Sequence, residues 1–214
     1  MDIKPTDSWI MKAILNQRSE VQRLNGWENI MGWHNFNMSK VYRKLQDYGV
    51  KVDWKNLVYG NNARPRACFM LWLTCHEKLA TKDRLHKFGM IDNRDCCFCA
   101  EEESINHLFF ECNTMKRIWM NVLNWLQVRR TPHNWHIERQ WLTQQAKGKG
   151  PRAQMIKMAA AETIYELWMM RNNKSFGNDV DTTSIVKNII DTVIYRGWEN
   201  KKIRRYLAIL MIGE

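Results

Sequence analysis

The sequence is poor in the two residues that interrupt helices. Its 214 residues include only four prolines and ten glycines, whereas tryptophan occurs eleven times and methionine thirteen times. Few helix breakers and many bulky apolar side chains favour a mostly helical chain. The composition, 45% hydrophobic and 26% charged, is that of a globular protein with a sizeable core.

Long apolar segments are also missing. The N-terminus, Met1-Asp2-Ile3-Lys4-Pro5, lacks the apolar stretch of a secretory signal, and no apolar run approaches the roughly 20 residues that a membrane-spanning helix needs. We therefore expect a nuclear or cytoplasmic protein that is not secreted and has no membrane partner. Thiols stay reduced in those compartments, so clustered cysteines are expected to bind metal rather than to form disulfides.

Acidic residues are too few to balance the basic ones. The chain has 33 Lys and Arg residues against 22 Asp and Glu residues, which gives a formal net charge of +11. A surplus of this size attracts phosphates over long distances and favours nucleic acid as a partner. A basic surface that only keeps the protein soluble is the alternative.

Four side chains of the kind that bind zinc lie within one short segment. Cys96 and Cys99 form a Cys-x-x-Cys pair, His107 follows after seven intervening residues, and Cys112 follows after four more. Zinc is commonly held by four thiolate or imidazole ligands in a tetrahedron, and Cys-x-x-Cys supplies two thiolates from one tight turn. Because all four positions are filled by the protein, the sequence predicts one structural Zn²⁺ per chain and no open position for a substrate.

Cys97 is a competing thiol in the same segment. A pair formed by Cys97 and Cys99 has only one residue between its members and is a poorer chelate, so Cys96 is the favoured ligand. Cys68 and Cys75 fall on the face of a predicted helix and are expected to be core thiols.

The spacing of the last two ligands restricts the local backbone. Five residues along a continuous α-helix correspond to about 140° of rotation, so His107 and Cys112 would not face one ion. We therefore predict that a short helix, capped by Ser104, ends near Phe110 and lets Cys112 turn back toward the metal.

Helical periodicity and capping signals divide the chain into four regions. The predicted fold is mainly α, with little or no β structure, stapled by one Cys-x-x-Cys…His…Cys zinc knot. The predicted regions are an N-terminal helix and connection (1–35), a zinc-binding helical region (36–130), a linker (131–150) and a C-terminal helical pair that packs on the zinc-binding region (151–214).

Individual elements are predicted within these regions. Residues 51–58 are predicted to form either a β-strand or an extended pairing segment. The predicted helices are 7–24, 39–47, Pro65 to about Leu79, 82–88 closed by Gly89, Thr114 to about Val128, 152–174, and 182–210 with a potential break at Gly197.

Motifs on both sides of the cysteines follow one pattern. Trp72–Leu85 places Trp-Leu…Leu-x-Thr-x-x-Arg-Leu before the Cys-x-x-Cys pair, and His107-Leu-Phe-Phe-Glu-Cys112 with Trp119 follows it. Further matching segments lie upstream and downstream: Phe36–Tyr42, Trp54–Leu57, and the Trp-x-x-Arg-Asn-x-x-x-Phe element of Trp168, Arg171, Asn172 and Phe176. Together they resemble the reverse-transcriptase zinc-binding domain found in LINE-type, non-LTR retrotransposons of plants and in plant genes derived from them.

The resemblance implies a zinc-stapled accessory region that follows a reverse-transcriptase domain and contacts template RNA or target DNA. Here it implies a stand-alone remnant or a domesticated gene product. The sequence has no Tyr/Phe-x-Asp-Asp motif and no Asp-Asp or Asp-Glu dipeptide. The Glu101–Glu103 run is expected to be a solvated turn. We therefore predict a protein that is not an enzyme and takes no small-molecule substrate.

Basic residues concentrate in stretches that are candidates for phosphate contact. Aromatic residues such as Trp198 and Tyr206 lie beside the last stretch, and bases of a single strand stack on such rings. Core positions for the tryptophans and a plain solvated face for the charges are the alternatives. The candidate residues are Lys116, Arg117, Arg129 and Arg130 around the helix after the cysteines, Lys147, Lys149 and Arg152 near the linker, and Arg196, Lys201, Lys202, Arg204 and Arg205 in the last helix.

The sequence as a whole predicts a non-catalytic, zinc-binding and nucleic-acid-binding module, with RNA slightly favoured over DNA. The alternative is a zinc-stapled scaffold for a protein partner, in which the positive charge is incidental.

Overall fold

The computed structural model describes residues 51–212, with side chains to residue 208, and is helical over most of that range. Within it the β pairing is limited to an isolated bridge between Asp95 and Glu102, so the prediction of a mainly α fold is confirmed. The helices are α1 (Lys55–Val58), α2 (Pro65–Cys75), α3 (Lys82–Lys87), a π-helical turn (His107–Glu111), α4 (Asn113–Trp125), α5 (Trp135–Gln145), α6 (Pro151–Ser175), α7 (Ile185–Trp198) and α8 (Lys201–Ile212).

Helix α6 is the central element of the fold. Its first residue is Pro151. Proline is tolerated there because the N–H groups of the first turn have no hydrogen-bond partner within the helix. The small residues Ala159–Ala161 are buried at its middle and allow neighbouring helices to approach. Helix α6 packs against α2, α4, α5, α7 and α8. The segment 96–112, which carries the four predicted zinc ligands, and the C-terminal helices therefore share one hydrophobic core.

The predicted linker at 131–150 contains helix α5 (Trp135–Gln145), which the sequence analysis did not predict. The Glu138 carboxylate is fully buried and accepts hydrogen bonds from Trp119 Nε1 (3.2 Å), Arg130 (2.7 Å) and the His133 amide (3.0 Å). These donors compensate the buried negative charge of Glu138. The polar sequence around Glu138 would instead predict a surface position for this residue. The network connects α5 to Trp119 of α4 and to the segment that precedes α5.

The single helix predicted over 182–210 is two helices that pack against each other. The break lies at Glu199–Asn200, where the Asn200 side chain accepts a hydrogen bond from the Lys202 amide (3.0 Å). Gly197 lies inside α7 and is not the break. A Cβ atom at Gly197 would lie 2.6 Å from Leu207 Cδ1, so this glycine permits the close approach of α7 and α8.

Several other boundaries differ from the predictions. The segment predicted as extended contains α1 rather than a strand. Helix α2 ends at Cys75, before the predicted Leu79, because Glu77 adopts a left-handed conformation with φ of 54°. Helix α4 begins one residue before Thr114, directly after Cys112.

Some predictions cannot be compared with this structure. The helices predicted at 7–24 and 39–47, the region 1–35 and the upstream motif Phe36–Tyr42 lie outside the described residues. Among the helices that are described, none is both long and apolar enough to cross a bilayer.

A buried ion pair fastens the cysteine loop to α6. Arg171 donates from Nε to both carboxylate oxygens of Glu103 (3.1 Å each) and from its terminal nitrogen to one of them (2.6 Å). The same carboxylate accepts from the Lys82 amide at the start of α3 (2.9 Å). The prediction of a solvated turn is thus wrong for Glu103, although Glu101 and Glu102 are exposed.

The variant Glu103→Gln tests the contribution of this ion pair. It leaves the Arg171 charge buried without its carboxylate, so we expect the free energy of unfolding to fall by about 3–5 kcal/mol. Unfolding by denaturant, followed by circular dichroism, measures the loss.

Glu102→Gln is the matched control. Glu102 pairs with Arg94 at 2.9 Å, but the two side chains are 57% and 48% exposed, so we expect a loss of about 1 kcal/mol or less. Equal losses in the two variants would contradict the role that we assign to Glu103.

Candidate metal centre

The four ligands predicted from the sequence converge on one point. One ligand atom from each of Cys96, Cys99, His107 and Cys112 lies within 4.8 Å of all the others. A tetrahedral site with metal–ligand distances of about 2.0–2.3 Å has edges of roughly 3.3–3.8 Å. The cluster is therefore close to the size that encloses one metal ion, and small side-chain rotations complete it.

Cys96 and Cys99 are held by a tight antiparallel turn. The Cys96 amide donates to the Glu101 carbonyl (2.7 Å), and the Ala100 amide donates to the Cys96 carbonyl (3.1 Å). Ala100 adopts a left-handed conformation with φ of 61°, which reverses the chain directly after the second cysteine. The turn brings the two thiols to the same side of the loop.

His107 and Cys112 are brought together by the π-helical turn. The Cys112 amide donates to the His107 carbonyl at 2.7 Å, which is the i→i+5 hydrogen bond of a π-helix. This wider turn places residues five apart on one face. The helix ends at Glu111, close to the end predicted near Phe110, but its turn is π-helical, which the sequence analysis did not predict. Ser104 accepts from the His107 amide (3.1 Å) at the start of this segment.

The cluster is largely shielded from solvent. Cys96 and Cys112 are buried, His107 is 9% exposed, and its Nε2 lies 3.0 Å from the Cys99 sulfur. The Cys99 side chain is half-buried and closes the outer side. Four protein ligands in a closed arrangement leave no position for a substrate, which is the pattern of a structural site rather than a catalytic one.

The three thiols differ in acidity. The pKa of Cys112 lies below its usual value, because the Cys96 thiol donates to it and the amides of Thr114 and Met115 at the start of α4 also favour its anion. The same hydrogen bond raises the pKa of Cys96, and burial raises that of Cys99. Of the three thiols Cys112 is thus the one whose anion the protein favours, and a metal held here would require the other two to lose their protons.

The remaining cysteines are not members of the four-residue cluster, although the Cys97 thiol is hydrogen-bonded to that of Cys96. The Cys97 sulfur faces α6, 3.9 Å from the Arg171 carbonyl oxygen and 3.8 Å from the Ser175 hydroxyl. Cys75 is a buried core thiol, and burial raises its pKa to about 12. Cys68 is half-buried against the same core.

The sequence analysis missed the side chains that position the loop. Glu103 and Arg171 touch no ligand atom directly, but they hold the base of the turn that carries Cys96 and Cys99. The Arg171-Asn172 pair of the downstream motif was the available signal. Its partner, Glu103, lies in a run of three glutamates, and the other two are exposed.

The structure divides the candidate phosphate-binding residues into three groups. Arg130 pairs with the buried Glu138 (2.7 Å), and Arg196 pairs with Glu199 (3.0 Å) and donates to the Asn62 carbonyl. These two arginines have structural partners. Lys116 is half-buried. The others are exposed: Arg117, Arg129, Lys147, Lys149, Arg152, Lys201, Lys202, Arg204 and Arg205. Their contact with nucleic acid stays a prediction.

A pair of adjacent substitutions tests the ligand set. Cys96→Ser removes a ligand, so the variant is expected to lose bound metal. Cys97→Ser changes a thiol that faces α6, so this variant is expected to keep about one metal ion per chain. Elemental analysis of the purified, dialysed proteins measures both. Metal retained by the Cys96 variant and lost by the Cys97 variant would mean that the turn is assigned one residue out of register.

No curated protein and no solved structure matches the chain. Residues 36–119, however, match the model of a family described as zinc-binding in reverse transcriptase. The matched region includes all four residues of the cluster and ends inside α4. The match and the geometry together support a reverse-transcriptase zinc-binding domain in this part of the chain.

Proposed function

We propose that the chain is a non-catalytic nucleic-acid-binding module whose fold is stapled by one structural Zn²⁺. The metal part rests on the donor set: three thiols and one imidazole in a closed, mostly buried cluster. Thiolates favour zinc over the hard cations Mg²⁺ and Ca²⁺, which bind oxygen ligands. Zinc would be held by Cys96, Cys99, His107 and Cys112.

Removal of the metal tests the structural role. A structural zinc contributes on the order of 10 kcal/mol to the folding of small zinc domains. Because Cys112 directly precedes α4, we expect a chelator to lower the midpoint of thermal unfolding of the parent and of Cys97→Ser. The Cys96→Ser variant, which lacks a complete site, is expected not to respond. Co²⁺ added to the metal-free parent should give the strong visible absorption of a tetrahedral thiolate site. A fully stable metal-free chain would contradict the proposal.

The nucleic-acid part of the proposal is supported by the surface at the start of α8. Lys201, Lys202 and Arg205 are exposed and form no ion pair with any residue in the described range. Beside them Trp198 is 42% exposed, with the Arg204 guanidinium 5.8 Å from the centre of its ring. Free cations beside an accessible aromatic ring suit single-stranded nucleic acid, because phosphates and bases are both contacted.

The finer identity of the chain is also a proposal. The resemblance to plant LINE-type proteins supports a retrotransposon-derived origin, and such an origin favours RNA slightly over DNA. A site built from three reduced thiols suits the nucleus or the cytoplasm, where thiols are not oxidised. The closed metal site supports a role without catalysis.

Substitution of the free cations tests nucleic-acid binding. Arg204 is left in place because it donates two hydrogen bonds to the Trp198 carbonyl and so supports the end of α7. In the triple variant Lys201→Gln, Lys202→Gln, Arg205→Gln, we expect affinity for single-stranded RNA to fall by a similar factor for unrelated sequences. The salt slope should flatten by up to about 0.7 per lost contact. Fluorescence anisotropy at several salt concentrations measures both.

A second triple variant is the matched control. Lys55→Gln, Lys78→Gln and Lys174→Gln remove the same charge from exposed positions on other parts of the surface. We expect their salt slope to stay near that of the parent. Equal effects of the two triple variants would show attraction by net charge alone. A parent that binds neither RNA nor DNA near physiological salt would favour the protein-scaffold alternative.

A further inference from the structure

A surface cavity of about 360 Å³ lies at the corner between α7 and α8. Arg196 and Glu199 line it from the end of α7, Lys201 lines it from the start of α8, and Asn62 lines it from the segment that precedes α2. Asn200, in the corner itself, is the fifth lining residue. All five side chains are polar or charged, so the cavity suits a charged group that forms hydrogen bonds.

Arg196 is oriented by contacts within the protein. Its Nε donates to the Asn62 carbonyl oxygen at 3.1 Å, which joins the end of α7 to a segment 134 residues away. A guanidinium has five N–H groups. Arg196 makes two hydrogen bonds to residues of the described range, one to Asn62 and one to Glu199. The guanidinium is thus held in one orientation and keeps N–H groups for a further acceptor.

The ion pair with Glu199 is the exchangeable contact of Arg196. Arg196 Nη1 and Glu199 Oε2 are 3.0 Å apart, and the two side chains are 30% and 55% exposed. Ion pairs at such exposed positions contribute little to stability, because water screens the charges. Carboxylate and phosphate oxygens both match the fork of a guanidinium, so a phosphate group can take the place of Glu199.

Lys201 joins this cavity to the cationic surface at the start of α8. It lines the cavity and is also one of the exposed cations that form no ion pair within the described range. Lys202 and Arg205 continue that surface along α8. Phosphates of one strand therefore have cations on both sides of the corner, once Arg196 has released Glu199.

We propose that this cavity binds one phosphate group of a single-stranded nucleic acid between Arg196 and Lys201, and that Glu199 is the internal competitor which the phosphate displaces. The inference rests on the proposed function. It deepens that function by assigning a phosphate site to an arginine that is paired in the free protein.

Competition with Glu199 favours a strand over a single anion. An isolated phosphate has only the contacts of the cavity with which to displace a carboxylate that is tethered three residues away. A strand that is already held by Lys202 and Arg205 presents its phosphate at a high effective concentration, so it displaces Glu199 more readily. Glu199 therefore selects for polyanions and limits their affinity.

Removal of the competitor tests the proposal. Glu199→Gln leaves Arg196 without a carboxylate partner before the strand arrives. We therefore expect the affinity for single-stranded RNA to rise by up to about fivefold, the equivalent of one exposed ion pair. Fluorescence anisotropy at one fixed salt concentration measures the change.

Glu102→Gln is the matched control. It removes the same charge from a similarly exposed ion pair, that with Arg94, and Glu102 does not line this cavity. We expect it to raise the affinity by less than about twofold, because salt screens a surface charge that lies away from the strand.

A double variant shows whether the gain depends on Arg196. In the Arg196→Gln background Glu199 has no cation to occupy at this position, so we expect Glu199→Gln to raise affinity no more than Glu102→Gln does. Circular dichroism checks that Arg196→Gln is folded. If it is not, the comparison of Glu199→Gln with Glu102→Gln decides, since both of these variants keep Arg196. A full gain in the absence of Arg196 would overturn the proposal.

The side-chain Nε–H signal of Arg196 reports directly on the cavity. It is assigned in a ¹⁵N spectrum of the zinc-loaded full chain by its loss in Arg196→Gln. We expect a short single-stranded RNA to shift this signal, and inorganic phosphate at the same concentration of phosphate groups to leave it unchanged. An equal shift with inorganic phosphate would overturn the strand as the occupant.

The outcomes separate this inference from the proposed function. If the parent binds RNA with a clear salt slope, but Glu199→Gln and Glu102→Gln bind alike and the Arg196 signal does not move, the cavity proposal fails and the proposed function stands. If the parent and Glu199→Gln bind neither RNA nor DNA, both fail. If Glu199→Gln gains affinity beyond its control and RNA moves the Arg196 signal, both are supported.

Discussion

The carboxylate of Glu103 is the point at which three parts of the fold meet. It follows the Cys-x-x-Cys turn, it accepts the amide of Lys82 at the start of α3, and it receives the guanidinium of Arg171 from α6. A fully buried carboxylate is tolerated only when charge and hydrogen bonds compensate its loss of water. The position of the cysteine loop on α6 is therefore coupled to the integrity of this ion pair.

The metal cluster depends on a second local constraint. With four residues between them, His107 and Cys112 would not face one ion on a continuous α-helix. The π-helical turn brings the two residues to the same face. Cys112 then serves two elements, because its backbone ends that turn and precedes α4. The Cys96 thiol and the amides at the start of α4 favour the Cys112 thiolate, so a metal held by Cys112 would be coupled to the start of this helix.

The cations that give the net charge of +11 have different roles in the structure. Some cations are structural: Arg171 and Arg130 pair with fully buried carboxylates. Others, such as Lys201 and Lys202, are exposed and form no ion pair within the part of the chain that the structure describes. Electrostatic attraction to a polyanion comes from the second class, since a cation already paired in the core contributes little to the surface potential.

Local patterns in the sequence were sufficient for the ligand set and for the principal helices. Cys96, Cys99, His107 and Cys112 are identified by type and spacing, and α2 and α6 by a first-turn proline followed by apolar periodicity. The sequence pattern did not reveal α5, because its polar surface hides the buried Glu138. It also did not reveal the π-helical turn, since the spacing alone permits either a broken or a widened helix.

Only the tertiary structure decided which charges are buried and which are free. Glu103 and Arg171 are 68 residues apart, so neither local propensity nor periodicity relates them. Glu101, Glu102 and Glu103 are identical in type and adjacent in sequence, yet only the last is buried. The cost of removing a charge from water is repaid only by partners that folding brings from distant segments, and a one-dimensional pattern does not contain those distances.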